Sequence, residues 1–230
     1  MRPLSRVVVF VGAFDPMHSA HVQKATAAAA MIRGTCLLMP VSSIPHKPKA
    51  ADIGVRMEIM KAQTDGLPNL IVIEETVELH SENYMFQLAQ ESGDRVFSLL
   101  GRDSFNSIRA LSCAGSILNH TTVIVAARGG YELDEVGRVA EGIATYESGG
   151  PPDPSLDLSD PRTRMLEVWQ NRTSPPHQLL HVILGHRTRS SAKLRAALAV
   201  SGDVGLGNFT HEAAALVRAH YRREPGDRAR

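Results

Sequence analysis

Two histidines, His18 and His21, stand three residues apart in the stretch VGAFDPMHSAHVQKA. They follow an apolar run that ends at Gly12, and they precede an alanine-rich run with a strong helix preference. A strand, a turn and a helix in this order place both imidazoles on one face of the first helical turn. Unpaired backbone N–H groups and the helix dipole favour an anion there, and imidazoles add donors with little fixed charge. The stretch therefore suits phosphate chemistry, although two histidines packed in a core or lying on the surface have the same spacing.

A metal site is a third interpretation of the pair. The spacing His-x-x-His lacks the i, i+4 separation typical of zinc-binding helices, and no cysteine lies nearby. The two cysteines, Cys36 and Cys113, are far apart and show no metal-ligand spacing, which indicates reduced thiols. We therefore expect no metal bound by the protein's own side chains.

Composition narrows the class of protein. The chain has 230 residues, of which 43% are hydrophobic and 21% charged, and its net charge is +1. These values are ordinary for a globular protein, and the charge gives no general attraction to nucleic acid or to an anionic membrane. The N-terminal MRPLSRVVVFVG predicts a first strand and not a signal peptide, and no apolar run is long enough to span a bilayer. We expect a cytoplasmic protein that binds neither nucleic acid nor membrane, and homo-oligomerisation stays open.

Strands and helices alternate along the chain. Six apolar runs predict strands, at residues 6–12, 35–41, 69–75, 95–101, 121–128 and 178–185. Helix-forming runs separate or follow them, at residues 19–33, 52–66, 81–93, 190–200 and 211–222. This alternation predicts an α/β fold with a mainly parallel sheet, which binds ligands beyond the carboxyl ends of its strands. We expect one domain over residues 1–225, with a flexible Pro/Gly-rich surface loop at about 147–161 and a C-terminal helical part from about 190.

Five segments, in this order, resemble the HxGH nucleotidyltransferase superfamily, particularly the nicotinate and nicotinamide mononucleotide adenylyltransferases. GAFDPMHSAH resembles the signature G-x-F-D-P-x-H-x-G-H, PHKP resembles the lysine loop after the second strand, and GRDSF resembles the G-x-D segment after the fourth. VAARGG resembles the arginine segment after the fifth strand, and RSSAKLRAAL resembles the late I-S-S-T-x-I-R motif. The resemblance implies a Rossmann-like, doubly wound sheet with helices on both faces. It also implies transfer of AMP from ATP to nicotinamide or nicotinate mononucleotide, with release of pyrophosphate.

The resemblance implies a role for each matching residue. The catalytic group would be His18, His21, Lys47 and Arg195. The nucleotide would be bound by Gly12, Ala13, Phe14, His21, Gly101, Asp103, Arg128, Ser190, Ser191 and Arg195. The acceptor side would include Lys47, Thr76 and Tyr84. The partners would be ATP and a mononucleotide, and Mg²⁺ would be bound mainly through the nucleotide phosphates.

Several of these residues also fit a purely structural role. Lys47, between two prolines, also fits an ordinary solvated lysine, and Tyr84 also fits a core aromatic. Asp103 also fits a helix N-cap. Ser191 and Arg195, four residues apart, also fit a capped helix that carries a surface arginine.

Three departures from the family pattern bear on the substrate. The glycine of H-x-G-H is Ala20 here, whose methyl could crowd a nucleotide, and the threonine of I-S-S-T is Ala192, which removes one hydroxyl. The tryptophan that follows G-x-D in the bacterial nicotinate enzymes is missing, and the only tryptophan is Trp169. Two other functions therefore stay open: a cytidylyl- or adenylyltransferase that acts on another phosphate-bearing acceptor, and a nucleotide-binding protein without catalytic activity.

Overall fold

The computed structural model of the protein describes residues 6–41, 50–74, 96–110, 114–127, 136–185, 191–201 and 206–221. Its strands are β1 (Val7–Gly12), β2 (Thr35–Pro40), β3 (Leu70–Val72), β4 (Val96–Gly101), β5 (Thr122–Ala126), β6 (Tyr146–Ser148), β7 (Thr163–Asn171) and β8 (Gln178–Leu184). Its helices are α1 (Ser19–Met31), α2 (Ile53–Thr64), α3 (Arg102–Asn106), α4 (Ala114–His120), α5 (Val136–Ala140), α6 (Ser191–Ser201) and α7 (His211–Tyr221). The helix predicted at residues 81–93 lies outside the described residues.

The eight described strands form one sheet in the order β3-β2-β1-β4-β5-β8-β7-β6. The six strands from β3 to β8 in this order are parallel, as the alternation of strands and helices predicts, whereas β7 and β6 run antiparallel at one edge. In the register of β1 with β4, Phe10 lies opposite Leu99. Gly12 and Gly101, each two residues further on, therefore lie at the same edge of the sheet, which is the carboxyl edge of the parallel strands.

The central strands are buried on both faces because helices cover the sheet from both sides. On one face, α1 packs through residues such as Ala28 and Met31 in a cluster that includes Leu38 and Leu180. On the other face, α4 and α5 pack through residues such as Leu118 and Val139 in a separate cluster. This arrangement explains the continuous apolar character of the central strands. The expected doubly wound, mainly parallel α/β fold is confirmed.

The segment from Glu147 to Pro161, predicted to be a Pro/Gly-rich surface loop, is largely exposed. Its first two residues belong to strand β6, and its middle is tied to Arg6 and to α1. The Arg6 guanidinium donates to the carbonyl of Ser155 at 3.0 Å, and the backbone N–H of Asp157 donates to the carbonyl of Met31 at 2.7 Å. Leu156 between these anchors is buried in the core. The middle of the segment is therefore anchored by Leu156 and two hydrogen bonds, which a composition rich in Pro and Gly does not reveal.

The two C-terminal helices pack on α2, close to the start of α1. A small apolar cluster joins them through Ile59, Leu198, Ala213 and Val217. The buried side chain of Gln63 donates to the carbonyl of Asn208 at 3.0 Å, and its oxygen accepts from the backbone N–H of Thr210 at 3.1 Å. These contacts fix α6 and α7 beside the sheet. Among the described residues, no helix has both the length and the apolar character to cross a bilayer.

Candidate active site

The two histidines of the opening motif form the N-terminal cap of α1. His18 is the N-cap residue, and its Nδ1 accepts a hydrogen bond from the backbone N–H of Ala20 at 3.3 Å. His21, in the first turn, accepts at its own Nδ1 from the backbone N–H of His18, also at 3.3 Å. The two side chains thus satisfy two backbone donors reciprocally, in the manner of a capping box. The predicted position at a helix N-terminus is confirmed.

This cap determines which ring nitrogen can donate. Because Nδ1 accepts in both rings, the proton of each neutral imidazole is on Nε2, so the outward chemistry of each ring is that of an N–H donor. The ring centroids of His18 and His21 are 4.0 Å apart, so the two rings are in contact. His18 is fully buried and His21 is partly exposed. The cap therefore presents Nε2–H of His21 as a neutral donor at a helix N-terminus, which suits an anion whose charge changes during reaction.

Aromatic packing holds the His21 ring in place. Phe14 has a left-handed backbone, with φ +43°, and its ring packs edge-to-face on Phe10 and on His21 at centroid distances of 5.2 and 5.5 Å. A Cβ atom at Gly12 would lie 3.1 Å from the Phe14 ring, so glycine at this position makes room for it. Phe14 is only 2% exposed. A ligand can therefore contact the backbone of Phe14, while the Phe14 ring packs against His21.

Asp15 is a buried carboxylate between the motif and the C-terminal helices. Its Oδ2 lies 3.0 Å from Nη1 of Arg195, which also donates to the Asp15 carbonyl. Its Oδ1 accepts from the backbone N–H of Ala51 at 3.2 Å and from the hydroxyl of Tyr221. Burial of a carboxylate is unfavourable unless a cation and hydrogen bonds compensate for lost hydration, and here both are present. Asp15 thus joins α6, α7 and the chain before α2 to the loop after β1.

Arg56 is the second buried charge beside the motif. Its guanidinium donates from Nη1 to the carbonyls of Ala13 and Val41 at 2.8 and 2.9 Å, and from Nε to the carbonyl of Ala51 at 2.9 Å. Burial lowers the pKa of Arg56, and the nearby Asp15 carboxylate opposes this effect. Val41 and Ala51 flank the segment that contains Lys47, so Arg56 fixes both ends of that segment against the loop after β1.

The end of β4 contributes the second predicted part of the site. Gly101 is the N-cap of α3, with no side-chain cap, and a Cβ atom there would meet no heavy atom within 4 Å. Asp103 lies in the first turn of α3 and its side chain is 61% exposed, with Arg102 3.8 Å away. The interpretation of Asp103 as a helix N-cap is therefore wrong, because Gly101 occupies that position. An exposed carboxylate beside open space remains compatible with ribose recognition.

The remaining predicted residues divide into two groups. Arg195 lies one turn after Ser191, where α6 begins, and its ion pair with Asp15 brings it to the motif loop. Five predicted residues lie outside the described residues, and their roles stay predictions: Lys47, Thr76, Arg128, Tyr84 and Ser190. Trp169 lies opposite Leu179, near the start of β8, whereas the motifs lie at the carboxyl edge. It therefore does not replace the missing family tryptophan.

Comparison with known proteins assigns the fold and the motifs to one family. A family model described as Cytidylyltransferase-like matches residues 9–149, which include the motif at α1 and the segment after β4. The chain belongs to this cytidylyltransferase-like family. The match ends at the edge strand β6. The matched region therefore does not include α6 and α7, the helices that carry Arg195 and Tyr221.

Individual relatives of this cytidylyltransferase-like chain carry a more specific name. A Bordetella petrii protein named "Probable nicotinate-nucleotide adenylyltransferase" is 29% identical over 147 residues, which cover 62% of this chain and 75% of the relative. A protein of the same name from Shewanella sp. (strain MR-4) is 24% identical over 203 residues, 85% of this chain and 88% of the relative. The solved Plasmodium falciparum nicotinic acid mononucleotide adenylyltransferase complexed with NaAD superposes with a TM-score of 0.57 and 13% identity over 92% of this chain and 94% of that chain. This last likeness shows a shared fold.

Three residues in or beside the motif are absent from the sequence-based predictions: Asp15, Arg56 and Tyr221. Arg56 did leave a signal, because it lies at helical spacing between Ile53 and Met60, on the buried stripe of α2. A charged residue on such a stripe indicates a buried partner. Asp15 lay inside the quoted motif, but its partners come from distant parts of the chain, so no local pattern identified them.

Proposed function

We propose that this protein transfers AMP from ATP to nicotinate mononucleotide and releases pyrophosphate, a step of NAD biosynthesis. The observation that carries the proposal is the cap of α1, where His18 and His21 are held as neutral Nε2–H donors at a helix N-terminus. The neighbouring strand β4 ends at the same edge, with Gly101 and the exposed Asp103. The names of the relatives supply the choice of acceptor.

The reaction is a substitution at the α-phosphorus of ATP. An oxygen of the mononucleotide phosphate forms a bond to this phosphorus, while the bond to the oxygen that bridges the α- and β-phosphates breaks. Pyrophosphate leaves with the electron pair of that bond. The attacking phosphate is already ionised near pH 7, so no side chain must remove a proton from it. The protein's task is to align the two phosphates and to stabilise the charge that moves towards the leaving group.

The histidine pair is suited to this second task. Donation from Nε2 of His21, at the positive end of the α1 dipole, stabilises an anion without adding a fixed positive charge. In the proposal, His21 is the more accessible donor and contacts the triphosphate where charge accumulates. His18 is fully buried, so it holds the cap and supports His21 from behind.

The other predicted residues complete the proposed site. Asp103 accepts hydrogen bonds from the nucleotide ribose, with Gly101 allowing the close approach. Phosphate contacts come from Lys47 and Arg195, and from Ser190 and Ser191, with α6 beginning at Ser191. Arg128 approaches the nucleotide from the end of β5, and the acceptor side includes Thr76 and Tyr84. A cytoplasmic location is part of the proposal, since both substrates are soluble nucleotides.

Mg²⁺ belongs to the proposal as a companion of ATP. Among the described residues, no group of three or more His, Cys, Asp or Glu side chains is arranged to hold a metal ion. Mg²⁺ commonly keeps several waters and takes its other ligands from substrate phosphates, where it neutralises charge.

The test is a product assay with matched omissions. Protein, Mg²⁺, ATP and nicotinate mononucleotide are mixed, and pyrophosphate and the dinucleotide are measured together, with the His21→Ala variant as the control for contaminating activity. We expect both products in equal amounts, and neither when the acceptor is omitted. Replacement of ATP by CTP, and of the acceptor by nicotinamide mononucleotide, tests the alternatives. A faster reaction with CTP, or ATP binding without any product, contradicts the proposal.

A further inference from the structure

A hydroxyl from the C-terminal helix α7 reaches the motif loop after β1. Tyr221 donates its O–H to Oδ1 of Asp15, a carboxylate that is 1% exposed. The other carboxylate oxygen, Oδ2, pairs with Nη1 of Arg195 at 3.0 Å. The two oxygens of one buried carboxylate are thus divided between a tyrosine of α7 and an arginine of α6.

We propose that Tyr221 is a positioning residue for the reaction: its hydroxyl orients the Asp15 carboxylate, and this carboxylate aims the Arg195 guanidinium at the triphosphate. The inference rests on the proposed function, in which Arg195 contacts phosphate. It adds a residue from the part of the chain beyond the family match, on the helix that follows α6.

The geometry supports a chain of positioning contacts. Nη1 of Arg195 is committed to Asp15, to both its carboxylate and its carbonyl. A guanidinium has three further N–H donors on Nε and Nη2, all in the same plane. When one edge of that plane is fixed, the direction of the remaining donors is also fixed. The orientation of the Asp15 carboxylate therefore determines where Arg195 can donate.

Tyr221 is suited to fix that carboxylate. Burial raises the pKa of Tyr221 above its ordinary value, and donation to Asp15 raises it further, so the hydroxyl stays protonated and donates throughout the neutral range. The ring packs against the cluster formed by Ile59, Leu198 and Val217, which holds α7 on α2 and α6. The only other donor to Oδ1 among the described contacts is the backbone N–H of Ala51. Without the hydroxyl, the carboxylate has one donor fewer and can rotate.

The test removes the hydroxyl and keeps the ring. Tyr221→Phe is compared with Tyr146→Phe, because the Tyr146 hydroxyl also donates within the protein, to the carbonyl of Leu118 at 3.1 Å, but lies at the far edge of the sheet. We expect Tyr221→Phe to raise the KM for ATP on the order of tenfold, as loss of one hydrogen bond to a charged group would do, and to leave the KM for the acceptor within about twofold. Tyr146→Phe should leave both KM values unchanged.

A double-mutant cycle separates positioning from general stability. In the Arg195→Ala background, the substitution Tyr221→Phe should have no further effect on the KM for ATP, because its effect acts through Arg195. Equal KM values for Tyr221→Phe and Tyr146→Phe, or a Tyr221→Phe effect that persists in the Arg195→Ala background, would overturn the inference. If the wild-type protein makes no dinucleotide, the proposed function fails, and the same four variants are then compared by calorimetric affinity for ATP, where the same pattern supports or overturns the positioning role.

Discussion

His21 has separate tasks at its two ring nitrogens. Nδ1 closes the cap of α1 by accepting from the backbone N–H of His18, and Nε2 carries the proton that a phosphate can receive as a hydrogen bond. The edge-to-face contact with Phe14 keeps the ring in this orientation. Stability and chemistry therefore depend on different atoms of one side chain, and they can be removed one at a time.

Two substitutions at His21 separate the cap from the chemistry. In His21→Asn, the amide oxygen replaces Nδ1 as the acceptor, but no donor reaches the position of Nε2. In His21→Ala, both functions are lost. We expect both variants to lose about 10²–10³-fold in kcat, because one preorganised donor is missing in each. His21→Ala should also lose about 0.5–2 kcal/mol of unfolding free energy, the usual cost of a missing cap, whereas His21→Asn should lose less.

The measurements are steady-state kinetics and denaturant unfolding on the same preparations. Wild-type turnover in His21→Asn would show that Nε2 does not act in the reaction. A His21→Asn variant as unstable as His21→Ala would show instead that Nδ1 does not carry the cap.

At the level of elements, the proposed nucleotide site depends on the position of α6. This helix carries Arg195, and Leu198 fixes it in the cluster with α2 and α7. Leu118, on α4, is equally buried but belongs to the core on the other face of the sheet. Truncation of either leucine to alanine therefore removes the same buried volume, close to α7 for Leu198 and on the other face of the sheet for Leu118.

We expect Leu198→Ala and Leu118→Ala each to lower the free energy of unfolding by about 2–5 kcal/mol, since both leave a cavity. Only Leu198→Ala should also raise the KM for ATP, because it loosens the helix that carries Arg195. Both are measured at a temperature where each variant is folded, as checked by circular dichroism. If the two variants shift the KM for ATP equally, the position of α6 does not control nucleotide binding.

The sequence predicts those elements whose burial is uniform. The six parallel strands were located because strands such as β1 and β5 are apolar on both faces. Strand β7, which lies between β8 and the edge strand β6, was missed because its exposed and buried residues do not alternate, and a register shift lies between Met165 and Glu167. Such irregular edges leave little periodicity in the sequence.

The candidate site shows the same division between local and distant information. His18 and His21 form a local motif whose cap geometry follows from three neighbouring residues. The partners of Asp15 are Arg195 and Tyr221, separated from it by 180 and 206 positions. A buried ion pair of this kind depends on the packing of whole helices, which no short pattern contains.

At the level of the whole molecule, ligand binding should stabilise the entire fold. The proposed nucleotide site joins the loop after β1, the end of β4 and the start of α6, so a nucleotide that bridges them binds only the folded chain. ATP with Mg²⁺ at about a hundred times its Kd should add about 2.7 kcal/mol, which corresponds to a rise in Tm of roughly 5–10 °C. CTP at the same concentration should raise the Tm less.

Differential scanning fluorimetry with both nucleotides measures this effect, and Arg195→Ala is the matched variant in which the ATP shift should be smaller. A larger shift with CTP than with ATP would favour a cytidylyltransferase. Identical ATP-induced Tm shifts in wild type and Arg195→Ala would show that Arg195 does not contact the nucleotide.

The buried contacts of Asp15 can form only late in the synthesis of the protein. A ribosome adds Arg195 180 residues after Asp15, and Tyr221 206 residues after it. The early strands and α1 leave the ribosome first, but a domain generally folds as one unit, so the fold cannot close around Asp15 until α6 and α7 have been made. The carboxylate of Asp15 must meanwhile remain hydrated, since its cation does not yet exist. We therefore expect Asp15 to become buried only after α7 has been made, because both of its side-chain partners are then present.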